Sequence, residues 1–144
     1  MKIKVITISE RDKSASTGLF AEYVRRLKHY CTIEAIALKS SGQKEEATAV
    51  LKKTSGDEEL ILLDEAGKEF SSVEFASWLQ KKMNASRNLC FVIGSAYGFD
   101  ETLKKNALMI SLSRMTLPHQ LAKVVFAEQL YRAFTILRNE KYHH

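Results

Sequence analysis

Short apolar runs alternate with amphipathic stretches of helical period along this chain, and that alternation constrains the fold more than any single residue does. Residues 2–8, 32–38, 59–63, 88–93 and 108–112 are rich in β-branched and apolar side chains and predict five strands. Helical spacing occupies residues 18–30, 71–83, 100–107 and 119–140. Strand and helix taking turns in this way imply a parallel sheet with helices on both faces and ligands at the carboxyl ends of the strands.

The helices differ in how strongly the residues specify them. Thr17 is a plausible N-cap for the first, in which Phe20, Tyr23, Val24 and Leu27 recur at helical spacing, while Arg25, Arg26, Lys28 and His29 suit the negative end of the helix dipole. Ser71-Ser72-Val73-Glu74 has the capping-box pattern. Residues 39–55, rich in Lys, Ser and Glu, have only Ala47, Val50 and Leu51 as apolar support, which predicts a mobile loop followed by a loosely packed helix. The third strand is expected to end at Asp64, with a turn at Ala66-Gly67-Lys68. The last helix carries Leu121, Val124, Val125, Ala127, Leu130, Tyr131, Phe134 and Leu137, an apolar surface wide enough to need burial on more than one side; self-association would supply it.

With 144 residues, 45% of them hydrophobic, residues 1–144 are expected to form a single α/β domain. A net charge of +5 favours anionic partners without naming one. Cys31 and Cys90 have no Cys-x-x-Cys spacing and no histidine at ligand distance along the chain, so no metal site is expected, and both read as small buried hydrophobes of a reducing compartment. Lys4 interrupts the first apolar run, which is too short for a signal peptide, and no run is long enough to span a membrane; a cytoplasmic protein is expected.

Two loops then stand out. The only proline, Pro118, ends Leu112-Ser113-Arg114-Met115-Thr116-Leu117 and precedes His119 and the last helix. Gly94-Ser95-Ala96-Tyr97-Gly98-Phe99 follows the fourth strand. Two loops at strand ends suggest one pocket between them. Neither matches the phosphate-binding P-loop or the dinucleotide glycine spacing. Asp64 reads as a turn residue, His119 as a helix start, and Glu128 with Arg132 as an i,i+4 ion pair. Arg25, Arg26, Lys28, Lys39, Lys44, Lys52 and Lys53 are candidates for a phosphate-binding face, with capping and solvation as the alternative. The ending Tyr142-His143-His144 reads by itself as a frayed tail.

Taken together these segments resemble the ribosomal RNA large-subunit methyltransferase H family. The similarity runs through Phe20-Ala21-Glu22-Tyr23-Val24-Arg25-Arg26-Leu27, Leu63-Asp64-Glu65-Ala66-Gly67-Lys68, Ser71-Ser72, Ile93-Gly94 with Gly98-Phe99, Leu112-Ser113 with Met115-Thr116-Leu117-Pro118-His119, Glu128-Gln129-Leu130-Tyr131-Arg132-Ala133 and Tyr142-His143. The resemblance implies a SPOUT-class α/β fold with a C-terminal trefoil knot, a homodimer, and methylation of N3 of a pseudouridine in 23S rRNA within the assembled ribosome. It further implies S-adenosylmethionine as cofactor, held by Leu63, Gly94, Leu112, Ser113, Arg114, Met115, Thr116 and Leu117, and a substrate-positioning or proton-handling role for Tyr142 and His143. The family usually has two adjacent glycines where this chain has Gly94-Ser95, and often a basic and acidic pair after its Tyr-His, where this chain has only His144. Alternatives are a knotted methyltransferase acting on tRNA, which the expected single domain disfavours, and a non-catalytic RNA-binding or assembly module that retains the pocket.

Overall fold

Alternate residues of a strand point to opposite faces of its sheet, and the central strands here are apolar on both. A computed structural model describes residues 1–10 and 15–144. Among these, strands β1 (Lys2–Ser9), β2 (Thr32–Lys39), β3 (Glu58–Glu69), β4 (Asn88–Ile93) and β5 (Leu108–Ser111) form one sheet in the order β2-β1-β4-β3-β5, with every pair parallel. Ile3 and Val5 of β1, with Leu89, Phe91 and Ile93 of β4, face helices α1 (Ala15–Leu27), α3 (Ser72–Asn84) and α5 (His119–Leu137). Ile6, Ile8, Cys90 and Val92 face the other way, onto α2 (Gln43–Lys53) and α4 (Glu101–Lys105). The α/β class and the parallel sheet expected from the alternation are what is found.

Several local expectations hold for the expected reason. Ser71 Oγ accepts from Glu74 N while the Glu74 carboxylate accepts from Ser71 N, a complete capping box. Lys4, the charge inside the first apolar run, is buried because its ammonium meets Glu58 at 2.8 Å. No described helix is long and apolar enough to cross a membrane.

Other expectations are corrected. The polar run of residues 9–18, which by itself predicts a loop, includes residues 11–14, which lie outside the described residues; α1 is already under way at Thr17, so Thr17 is not its N-cap, and its hydroxyl accepts from Lys123 Nζ of α5. Cys90 is buried, but Cys31 at the end of the α1 turn is only partly so. Helix α2 is not loosely packed: Glu46, Ala47 and Val50 are buried on the sheet, whereas Leu51 faces solvent. Nor do the basic residues share a face, because α1 and α2 lie on opposite sides of the sheet, and Arg25 and Arg26 both donate to Glu22, holding its carboxyl down to about 2. Helix α5 is buried on more than one side, as expected, by the sheet, α1 and α3 of its own chain, and leaves Leu121 and Val125 outward.

Strand β3 does not stop at Leu63. Residues 64–67 bulge out of the ladder, and pairing with β5 resumes at once: Leu63 and Lys68 both lie opposite Ile110. The turn expected around Gly67 is therefore a bulge within a longer strand. A Cβ on Gly67 would stand 2.6 Å from Ile110 N and from Met109 C, so β5 crosses where only a bare Cα fits. Because those neighbours are backbone, Gly67→Ala should cost about 1–3 kcal/mol, lowering the urea midpoint without changing its slope. Gly56→Ala, with open space around its Cβ, is the control and should shift stability by less than about 0.5 kcal/mol.

Candidate functional site

Parallel strands aim all their carboxyl ends the same way, and a crevice opens where consecutive connections depart to opposite sides of the sheet. Here β1 connects outward to β2, while β4, its other neighbour, connects toward β5 at the far edge. Above this point lies a cavity of about 860 Å³, lined by Ile8, Ser9 and Glu10 after β1, Leu63, Asp64 and Glu65 at the β3 bulge, residues 93–99 after β4, and the segment after β5. The pocket expected between the two loops is present. Its volume suits a small organic ligand.

Of the positions expected to hold a cofactor, Leu63, Gly94, Leu112, Ser113, Met115, Thr116 and Leu117 line this cavity. Arg114 does not; its exposed guanidinium turns to Glu69, at 3.4 Å. The rest of the loop is shaped locally, since Ser113 Oγ accepts from Met115 N and Ser111 Oγ donates to Ser113 O. Pro118, in an extended conformation, is the N-cap of α5, and its carbonyl accepts from Leu121 N and Ala122 N. Asp64 makes the expected turn, with Oδ1 accepting from Ala66 N at 2.8 Å.

The loop after β4 is held from several directions. At Gly94 a Cβ would stand 2.8 Å from the ring of buried Phe99, which folds back beneath it, so Phe99 is the reason for that glycine. Gly98 has φ of 74°, a left-handed turn suited to glycine. His119 Nδ1 lies 3.1 Å from the Gly94 carbonyl oxygen. A carbonyl only accepts, so Nδ1 carries the hydrogen and His119 ties the two loops together; it is more than a helix start.

Sequence reasoning missed Glu46. This carboxylate is 4% exposed, accepting from Ser41 N and Gly42 N at 2.9 Å, Ser40 Oγ at 3.2 Å and Ser95 Oγ at 2.7 Å. Burial pushes its pKa up, but the hydrogen bonds from Ser95, Gly42, Ser41 and Ser40 outweigh it and hold the carboxyl below its ordinary value. A signal was available: Glu46 precedes Ala47 and Val50 on the one apolar stripe of α2, the wrong place for a solvated charge.

The tail lies elsewhere in the chain. Asn139, at φ of 55°, ends α5 in a Schellman motif: Glu140 N donates to Thr135 O and Asn139 N to Ile136 O. The chain is thereby turned back onto α5 and α1, and the expected frayed end is tied down. The Tyr142 ring meets Tyr131 edge-on at 4.8 Å between centroids, and its hydroxyl donates to Glu128 Oε1 at 3.1 Å and lies 3.3 Å from that of Tyr23. The expected Glu128–Arg132 pair closes at 2.6 Å, and Arg132 Nη1 stands 3.1 Å from His143 Nδ1. Neither Tyr142 nor His143 lines the cavity of its own chain.

The family model described as "Predicted SPOUT methyltransferase" matches residues 1–143. Among curated proteins, the chain is 49% identical to one from Flavobacterium johnsoniae, 43% to one from Parabacteroides distasonis and 37% to one from Gloeobacter violaceus. Each alignment covers all of this chain and 99% of the relative, and each relative is named "Ribosomal RNA large subunit methyltransferase H".

The tail network makes a prediction about alkaline pH. Burial, with hydrogen bonds to Tyr23 and Glu128, raises the Tyr142 phenol above its ordinary value, and burial with the Glu140 hydrogen bond pushes Tyr30 up to about 12. Below the unfolded value near 10 both are neutral, folded or not, and their contribution to stability is complete; above it the unfolded chain ionises first, so stability falls as pH climbs toward the folded values. Tyr30→Phe with Tyr142→Phe should flatten the fall in urea midpoint between about pH 10 and 12.

Proposed function

Because the chain belongs to the SPOUT methyltransferase family, we propose that it methylates N3 of a pseudouridine in 23S rRNA, acting in the cytoplasm on the assembled large ribosomal subunit with S-adenosylmethionine as methyl donor. The observation that carries this reading is the cavity at the strand ends, lined by seven of the eight expected cofactor positions, in a chain whose full-length relatives carry the rRNA methyltransferase name.

The residues of the cavity fit the cofactor. Leu63, Leu112 and Leu117 offer apolar cover for adenine, the backbone groups of residues 112–117 suit the purine edge, and the carboxylates of Glu10, Asp64 and Glu65 suit a positively charged sulfonium. When bound, the cofactor supplies an electrophilic methyl group for in-line transfer. The chain's task is then orientation, which can account for a large part of such a rate.

The tail supplies the groups for the substrate side. Tyr142, its pKa raised by burial, is a neutral phenol at physiological pH and not a base, and its one hydroxyl hydrogen is given to Glu128, so it positions the tail. Arg132, always a donor, points at His143 Nδ1, so in this arrangement the imidazole hydrogen sits on Nε2 and faces the substrate as a donor, stabilising charge that develops as N3 loses its proton. Since the tail does not line its own cavity, we assign it to the cavity of a second copy in a homodimer. The outward Leu121 and Val125 of α5, with exposed Met115 in the loop, are the apolar surface such a contact would cover. Threading of the C-terminal segment through a trefoil knot belongs to the same reading.

Large subunits from a strain lacking this protein should accept one methyl group per particle, which mass mapping locates on a pseudouridine. Protein-free rRNA should react at least about tenfold more slowly, a loss of about 1.4 kcal/mol of recognition supplied by the assembled ribosomal surface; equal rates would overturn the ribosomal substrate. His143→Ala should lower kcat by about 10²-fold or more with cofactor affinity unchanged. Wild-type rates from that variant, or from a truncation before Tyr142, would remove the tail from the reaction.

A further inference from the structure

We infer that Glu46 and Gln43, on one face of the first turns of α2, are positioning residues that grip the loop after β4 and set its shape for the cofactor. The inference rests on the reading of the cavity as the cofactor site. It does not depend on which RNA base is methylated.

Two side chains of α2 reach the same distant segment. Glu46 Oε1 accepts from Ser95 Oγ at 2.7 Å, and Gln43 Nε2 donates to the Tyr97 carbonyl at 2.6 Å. Residues i and i+3 of a helix share a face, so one rigid element holds both points at once. A helix-capping role explains only the bonds from Ser41 N and Gly42 N to the other carboxylate oxygen. It does not explain the shortest of the bonds to Glu46, which crosses to a loop 49 residues away in sequence.

Ser95 works as a relay. Its one hydroxyl hydrogen is committed to the carboxylate, an acceptor only, which leaves a lone pair for Tyr97 N at 3.3 Å. The bond and the turn to Gly98 therefore depend on the acceptor that Glu46 supplies, and the donors that hold it also keep its pKa below the ordinary value. Ser40, Ser95 and Tyr97 all line the cavity, so α2 clamps one wall of it. At the position where the related family usually has a second glycine, this chain carries the hydroxyl that Glu46 needs.

The test combines Glu46→Ala, Gln43→Ala and Ser95→Gly, read by amide hydrogen exchange in the free protein and by calorimetry with S-adenosylmethionine. Glu46→Ala should speed exchange at residues 95–98 beyond any change in global stability, and should raise the cofactor Kd and KM about tenfold, the scale of a hydrogen bond to a charged group, with kcat at saturating cofactor retained. In the Ser95→Gly background the same substitution should change the Kd by less than about twofold, because the link is already cut. Glu46→Gln, which keeps one acceptor oxygen, should fall between, and it carries the test if the alanine variant folds poorly; the exposed Gln43→Ala should speed exchange at Tyr97 and Gly98 with stability unchanged. Lowered global stability with unchanged Kd and unchanged relative exchange at residues 95–98 would make Glu46 a helix cap and overturn the inference. A wild-type chain that takes up no S-adenosylmethionine would sink the reading of the cavity instead, and with it the cofactor half of this inference, while the exchange measurement would still decide the grip.

Discussion

Parallel pairing of β1 with β4 at the middle of the sheet is the constraint on which the other parts depend. A parallel pair cannot be closed by a tight turn, so each connection must travel over a face of the sheet as a helix. Both faces are then covered, which is why β1 is buried from Ile3 to Ile8 and β4 from Leu89 to Ile93, and why the tilted rings of Phe91 and Phe126 meet at 4.7 Å with no access to water. All carboxyl ends point one way, so the loops after β1, β3, β4 and β5 are delivered to a single place. The cavity follows from the connectivity. What fills its walls is local chemistry.

That division explains what could be read in advance. Strand β4 and the capping box of α3 were legible because their signals are local: a continuous apolar run, and a hydroxyl three residues before a carboxylate. The cavity loops were legible for the same reason, through Gly94, Gly98 and Pro118. The continuation of β3 past Leu63 was not, because Gly67 owes its identity to the backbone of β5 at Met109 and Ile110, far along the sequence and invisible to any window around it. The packing of α2 was misjudged because its buried face contains a carboxylate; Glu46 reads as solvated until its four donors are seen together. The basic residues misled for a geometric reason, since their helices are separated by the thickness of the sheet.

The tail illustrates how a terminal segment is kept in one place. The residues after α5, 138–144, would ordinarily fray. Here Asn139 takes the left-handed conformation that reverses the chain, and the following tyrosine finds an aromatic edge, a carboxylate and a second hydroxyl. Glu128 is the centre of this arrangement, since it neutralises Arg132 and orients Tyr142 through the same oxygen. An i,i+4 pair on an exposed helix contributes little. This one is three-quarters buried at both partners, and its value lies in what it positions.

Charge is also divided between regions of the molecule, and the division bears on how the proposed cofactor and substrate are kept apart. The chain carries a net charge of +5, yet the described lining of the cavity contains Glu10, Asp64 and Glu65 and no lysine or arginine. A positive surface draws an anionic partner toward the molecule at long range. A cavity lined by acidic side chains with no basic ones among its described lining disfavours a phosphate and favours a cation over a neutral molecule of the same shape. Arg114, the one cation of the loop after β5, fits this pattern because its side chain turns out of the cavity to Glu69. On the proposed reading, the outer surface attracts the RNA and the acidic lining reserves the inner seat for the sulfonium, so the two binding events are sorted by sign before any specific contact is made.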